Sequence, residues 1–319
     1  MAIHKQTVQS YDFAVDGAAT NVIFTLPANH TFARVTSSTG IVFPNGPLLG
    51  RVGTGGSIDS GATDYIRGCG RDTTWQASAE VDWLLQINDG HTDNKEMRFN
   101  FYNMNMAAPV FAMGMGYDKW ISRPWYPQGI RQAITPLDQI QIINAGGTNI
   151  TAGKIWCVSY ERVATVTPLP TPSGTVHTLS GLTKAKGMIT CCSYDSTVTP
   201  AAQHSQMRVS TGGVIQDQAG DYLEGKVGSN FQDQVTSETE LCNSGAALRS
   251  AFALVGYGFM ETAFRSVVIN HADLALDGSG TGKTKDVGWT TAVEANNEWS
   301  ARTGNVADGG TVYWVEYEV

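Results

Sequence analysis

Charge is what this 319-residue chain has least of. Asp, Glu, Lys and Arg together make up 16% of it, where about a quarter is usual. Hydrophobic residues, at 42%, are too many for an intrinsically disordered chain. No apolar run reaches the roughly 18 residues that would suggest a membrane span. The N-terminus, Met1-Ala-Ile-His-Lys-Gln-Thr7, lacks the apolar core of a secretory signal, so synthesis in a cytoplasm is expected. The net charge of −8 disfavours a surface built to grip phosphates. The five cysteines, Cys69, Cys157, Cys191, Cys192 and Cys242, are odd in number and show no Cys-x2-Cys spacing for a metal. Cys157 and Cys191 lie in apolar, strand-like runs and read as buried free thiols.

Catalytic signatures are also missing. Residues 277–284, Asp-Gly-Ser-Gly-Thr-Gly-Lys-Thr, invite a phosphate-loop reading. That motif needs Gly, four residues, then Gly-Lys-Ser/Thr, because the loop curls its amides around phosphate before a helix opens. Here Asp277 occupies the first glycine position, Gly278 is one residue too close, and Lys285-Asp-Val-Gly-Trp289 does not continue as an apolar helix. The six histidines are scattered without a His-x-His or His-Glu-x-x-His pattern, so no metal site is expected. There is no Gly-x-Ser-x-Gly elbow for a serine nucleophile, and no telling pair of carboxylates for a glycosidase. The expectation is a protein that is not an enzyme and carries no cofactor or metal.

Glycine, in contrast, occurs 35 times, and several glycines belong to a repeat. Residues 51–65 read Arg-Val-Gly-Thr-Gly-Gly-Ser-Ile-Asp-Ser-Gly-Ala-Thr-Asp-Tyr, and residues 208–222 read Arg-Val-Ser-Thr-Gly-Gly-Val-Ile-Gln-Asp-Gln-Ala-Gly-Asp-Tyr. Nine of the fifteen positions agree, at an offset of 208 − 51 = 157. The same offset maps Gly153-Lys-Ile-Trp-Cys-Val-Ser-Tyr-Glu161 onto Gly310-Thr-Val-Tyr-Trp-Val-Glu-Tyr-Glu318. A weaker echo sets Gln76-Ala-Ser-Ala-Glu80 against Gln234-Val-Thr-Ser-Glu238. Blocks in one order at nearly one spacing imply an internal duplication. Residues 164–174, with three prolines alternating with other residues, read as an extended connector. The expected domains are therefore 1–163 and 175–319, joined by 164–174.

Each copy ends on a period-two segment. Trp156, Val158 and Tyr160 share one face, and Ile155, Cys157, Ser159 and Glu161 the other. In the second copy Tyr313, Val315 and Tyr317 match the first set. Residues 21–26, 99–104 and 139–143 are short, apolar and strand-like, with Gly-rich turn signals between such runs. Helix is expected only over 75–85 and 246–254. The fold class this predicts is all-β, with two tandem antiparallel β-sandwich, jelly-roll-like domains.

Two groups of residues stand out. Residues 117–128, Tyr-Asp-Lys-Trp-Ile-Ser-Arg-Pro-Trp-Tyr-Pro-Gln, set Trp120, Arg123, Trp125 and Tyr126 around two prolines. Such residues anchor interfaces, because they offer large contact area at low entropy cost. Flat aromatics beside Arg and Asp would also suit a sugar ring, and Trp120 and Trp125 could equally complete a core. The second group is the repeat itself. Arg51, Asp64 and Tyr65 recur as Arg208, Asp221 and Tyr222, and we read the block as a structural corner. Asp59, Ser60 and Asp64 could offer oxygens to calcium. Only the last of the acidic positions keeps its acid in the second copy, and short Asp and Ser side chains more often bond backbone amides in turns.

Residues 48–65, Leu-Leu-Gly-Arg-Val-Gly-Thr-Gly-Gly-Ser-Ile-Asp-Ser-Gly-Ala-Thr-Asp-Tyr, resemble a signature of β-sandwich modules from tailed-bacteriophage structural and tail-fibre-type proteins. Residues 140–156, Ile-Gln-Ile-Ile-Asn-Ala-Gly-Gly-Thr-Asn-Ile-Thr-Ala-Gly-Lys-Ile-Trp, are similar to the pattern that follows it there. Residues 303–313 keep a worn version. Two tandem sandwiches also resemble double-jelly-roll capsid proteins. The resemblance implies a virion component and brings no catalytic residues with it. The partners it implies are other copies of the chain and other virion proteins, as a capsid, decoration, collar or tail subunit. Alternatively, an adhesin would bind host surface glycan. Neither direct nucleic-acid binding nor membrane attachment is expected.

Overall fold

The structure is a computed structural model of the chain. It describes residues 5–42, 48–61, 64–71, 74–80, 83–86, 95–118, 123–131, 133–170, 176–180, 189–197, 203–211, 214–215, 222–226, 232–236, 239–244, 249–257, 267–275, 286–290, 298–303 and 311–317. Among these, every regular element is a strand, and the paired strands run antiparallel. The chain divides into two compact units, residues 1–74 with 79–162 and residues 75–78 with 163–319.

The first half of the chain contributes β1 (Gln6–Asp12), β2 (Asn21–Thr25), β3 (His30–Ser37), β4 (Leu48–Thr54) and β5 (Ser57–Ile58). After these come β6 (Tyr65–Arg71), β7 (Thr74–Glu80), β8 (Trp83–Gln86) and β9 (Lys95–Tyr102). The set closes with β10 (Val110–Asp118), β11 (Arg123–Arg131), β12 (Gln139–Asn144) and β13 (Lys154–Glu161). Eight strands form one sheet in the order β1-β13-β3-β9-β10-β11-β6-β7. The smaller sheet runs β2-β12-β4-β5, with β8 also pairing β4.

Alternation explains how the sheets face each other. Ala33, Val35, Met97, Phe99, Phe101, Val110, Ala112, Ile155 and Cys157 line one side of the large sheet. They form a single core with Val22, Phe24, Leu48, Val52, Ile140 and Ile142 of the smaller sheet, which makes a β-sandwich. Truncating Phe99 or Phe101, each nearly inaccessible, would cost about 3–5 kcal/mol. Cys157 is a free, buried thiol, and desolvation pushes its pKa up to about 12, so it packs as a small apolar group. On β13 the face turned into the core carries Ile155, Cys157 and Ser159, while Trp156, Val158 and Tyr160 are only half-buried. The large residues therefore lie on the opposite face, where an aromatic row crosses four strands. Tyr160 pairs with Phe32, Phe32 with Tyr102, and Tyr102 with Phe111. Their ring centroids are 5.5, 5.1 and 4.7 Å apart, distances at which each pair adds about 0.5–1.5 kcal/mol.

The second set comprises β14 (Ala164–Pro170), β15 (Val176–Ser180), β16 (Ile189–Thr197), β17 (Gln203–Thr211) and β18 (Val214–Ile215). Next are β19 (Tyr222–Lys226), β20 (Gln232–Thr236), β21 (Thr239–Ser244) and β22 (Arg249–Tyr257). Last come β23 (Val267–Ala275), β24 (Asp286–Thr290), β25 (Glu298–Thr303) and β26 (Thr311–Tyr317). Its sheets run β14-β26-β16-β22-β23-β24-β19-β20 and β15-β25-β17-β18, with β21 on β17. Each strand thus holds the place of the strand numbered thirteen lower.

Three expectations meet a different outcome. Of the expected first helix, residues 75–80 lie in β7 and residues 83–85 in β8, and residues 249–254 of the expected second helix lie in β22. Both stretches are rich in Ala and Leu, so local preference points to helix. Neither is long enough to outweigh the hydrogen bonds that a neighbouring strand offers. Most of the expected connector is the strand β14, paired with β26 from Ala164↔Tyr317 to Pro170↔Thr311. An edge position tolerates its prolines, because their missing amides would face away from the neighbour.

Candidate interaction surface and the repeat corner

The aromatic segment falls on the hairpin of β10 and β11. Asp118 pairs with Arg123, Tyr117 with Pro124 and Gly116 with Trp125, while Tyr126 lies opposite Gly70 on β6. Trp120 lies outside the described residues. Gly114 keeps this part of β10 narrow. A Cβ on Gly114 would overlap the Arg98 carbonyl and the Phe99 ring, so glycine there permits close approach of β9. Next to the hairpin, Met115 and Tyr117 are 44% and 37% exposed, in register with Arg98 and Glu96. The corresponding hairpin of the second unit, β23 with β24, carries Trp289, the next-to-last residue of its second strand, as an aromatic of its own. Tyr65 pairs with Arg131 and Tyr222 with Thr290, so Asp286, the first residue of β24, takes the place that Pro127 holds on β11. The Gly- and Lys-rich residues 277–284 lie outside the described residues.

The repeat block folds into a tie between the two sheets. Tyr65 opens β6 in the large sheet, and its side chain is fully buried. Its hydroxyl oxygen accepts a hydrogen bond from the Val52 N–H on β4, at 2.9 Å. Its proton faces two acceptors, the carbonyls of Asp59 at 3.1 Å and Val52 at 3.2 Å. Burial, above all, holds this phenol's pKa well over its usual value, so it stays a neutral donor. Asp64 folds back on the chain: its Oδ2 accepts the Gly61 N–H at 2.6 Å, and its own N–H donates to the Gly61 carbonyl at 3.1 Å. Arg51 lies half-buried on β4 opposite Gln141. Arg208 lies on β17 opposite Ser300, and Tyr222 opens β19 opposite Thr236. Asp221 lies outside the described residues.

An ion pair beneath this corner escaped the sequence reading. The Arg131 guanidinium Nη2 is 2.6 Å from the Asp59 carboxylate, with side chains 9% and 23% exposed. In the second unit the matching positions are Thr290, by register, and Gln216, by the 157 offset. Acid and base are thus replaced together, a signal that becomes readable only once β6 and β11 are known to be neighbours. With Asp59 facing Arg131 and Asp64 facing Gly61, these acids are engaged within the protein. Among the described residues no group of three or more His, Cys, Asp or Glu is placed to hold a metal ion. A second buried polar pair, also unsignalled in the sequence, joins His30 Nδ1 to Ser159 Oγ at 2.8 Å. Desolvation lowers the His30 pKa.

The geometry defines a class: an all-β chain of antiparallel sandwich sheets. No protein-family model matches the chain, and no curated protein matches it. Among solved structures, it is similar to domains LG4-5 of the mouse laminin alpha1 chain at 10% identity, covering 95% of this chain and 86% of that one, with a TM-score of 0.22. It is also similar to a chain of the Sulfolobus Turreted Icosahedral Virus, at 10% identity, 99% and 91% coverage and a TM-score of 0.20. The major capsid protein P2 of bacteriophage PM2 aligns at 8% identity, 99% and 98% coverage and a TM-score of 0.20. Likenesses this loose carry no argument about function.

Proposed function

We propose that this chain is a non-enzymatic structural protein of a bacteriophage particle, assembling with copies of itself and with other virion proteins. The observation that carries the reading is one strand order occurring twice along the chain. The two occurrences are built around a sequence block that itself recurs and resembles phage sandwich modules. An internal duplication explains both recurrences. A low content of charge also suits a surface buried against neighbours, because few charges need desolvation.

The position in the particle is tested by quantitative gel analysis of purified virions. Hundreds of copies per particle fit a shell role, a few or a few dozen a collar or tail role, and absence from particles overturns the proposal. Exposed Met115 and Tyr117 beside the aromatic hairpin favour a second reading, an adhesin that binds host glycan. If Trp120→Ala and Trp125→Ala leave assembly intact but abolish adsorption, that reading replaces an assembly role for the hairpin. If they block incorporation into particles, it loses its support.

A further inference from the structure

We infer that β1 is the self-pairing contact of this chain: its free edge takes β1 of a second copy in antiparallel register about a two-fold axis at Val8. The inference rests on the self-assembly proposed above and names the surface that performs it. The large sheet ends at β1, which among the described residues has β13 as its one strand neighbour. The Phe13 N–H donates to the Gly153 carbonyl, and the Lys5 carbonyl accepts from the Glu161 N–H. In the β1–β13 register these bonds place odd-numbered residues in the hydrogen-bonded pairs. The backbone groups of Gln6, Val8, Ser10 and Asp12 therefore point away from β13. Those of Asp12 are taken by its own turn, with its N–H on Asp16 Oδ2 and its carbonyl accepting from Val15 and Asp16. Gln6, Val8 and Ser10 remain facing outward, and Val8 is 57% exposed.

The second unit shows what a guarded edge looks like. There β14 holds the place of β1. Val166 pairs with Val315 as Val8 does with Val158, and Pro168 pairs with Tyr313 where Ser10 pairs with Trp156. Pro168 and Pro170 remove outward donors, a common protection against edge pairing. No proline or charge interrupts β1 between Gln6 and Tyr11. The strand is also complementary to itself. A two-fold at Val8 sets Val8 against Val8 of the second copy, Gln6 against its Ser10 and Lys5 against its Tyr11, so no like charges face each other. With one edge open and its counterpart blocked, such pairing closes at two chains, an isologous contact.

The test uses the full chain. Ser10→Pro reproduces the guard of β14 at a position whose amide is not needed by β13. Sedimentation velocity is expected to show a wild-type dimer and a dissociation constant raised at least tenfold in Ser10→Pro, with an unchanged circular dichroism spectrum. Oxidation of Val8→Cys is expected to trap a covalent dimer, since facing Cα atoms in such a pair lie about 5.5 Å apart. Gln6→Cys serves as the control, because its two copies would be about 14 Å apart. A wild-type protein that remains monomeric at its highest soluble concentration overturns the inference. So does association that Ser10→Pro leaves unchanged, or equal trapping of both cysteine variants. A dimer trapped only by Val8→Cys, in a protein absent from purified virions, would uphold the edge contact and reject the virion role.

Discussion

Replacing Tyr65 with Phe removes one oxygen from the interior and changes almost nothing else. The ring stays, so the apolar burial of Tyr65 stays. What goes is the acceptor for the Val52 N–H and the donor shared by the Asp59 and Val52 carbonyls. The Val52 carbonyl keeps the Asp59 N–H at 2.9 Å, but the Val52 N–H lies where water cannot replace its partner. An orphaned buried donor costs about 1–3 kcal/mol, and the lost hydroxyl donor brings the expected destabilisation to about 2–3 kcal/mol. For a unit of this size that lowers Tm by roughly 4–10 °C. Scanning calorimetry of the full chain measures it, and the first unit's transition should carry the shift. Tyr222→Phe should cost a similar amount if the repeated block builds the same tie in the second unit. A loss below about 0.5 kcal/mol for Tyr65→Phe, the range of an ordinary surface change, would refute the idea that this hydroxyl joins the sheets.

Asp59→Ala should destabilise the protein by on the order of 3 kcal/mol, because it strands the buried Arg131 charge. Adding Arg131→Met should recover much of that loss in urea unfolding, and no recovery would mean the pair is not coupled. His30 has its pKa lowered by desolvation from the ordinary 6.5. The unfolded chain therefore binds a proton first as pH falls below 6.5, and stability should decline through that range. His30→Asn should flatten this part of a Tm profile measured from pH 8 to pH 5, after its own offset is subtracted; an unchanged slope would place the titration elsewhere.

Much of the architecture was legible along the chain. The alternation over 154–161 marked β13, and the apolar runs at 21–26 and 139–143 contain most of β2 and β12. The misread stretches share one cause. Residues 75–80, 83–85 and 249–254 belong to Ala- and Leu-containing runs that read as helix yet reside in sheets, and 164–170 is an edge strand that reads as a connector because prolines suit both. Sequence periodicity divided β13 into two faces without saying which turns inward, and the large aromatics lie along Trp156 to Tyr160. The core takes Ile155, Cys157 and Ser159, while the aromatics of neighbouring strands form their own row on the opposite face.

By itself, the sequence determined what depends on local order: an all-β chain and a block written twice. Those features survive in the primary structure because period-two alternation and glycine turns act over a few residues. Only the tertiary structure decided which strands are neighbours. That choice brought Arg131 to Asp59 and His30 to Ser159, across 72 and 129 residues. It also left β1 open at an edge where β14 carries proline. Pairing between distant segments is selected by the packing of whole faces, and no short-range signal encodes it.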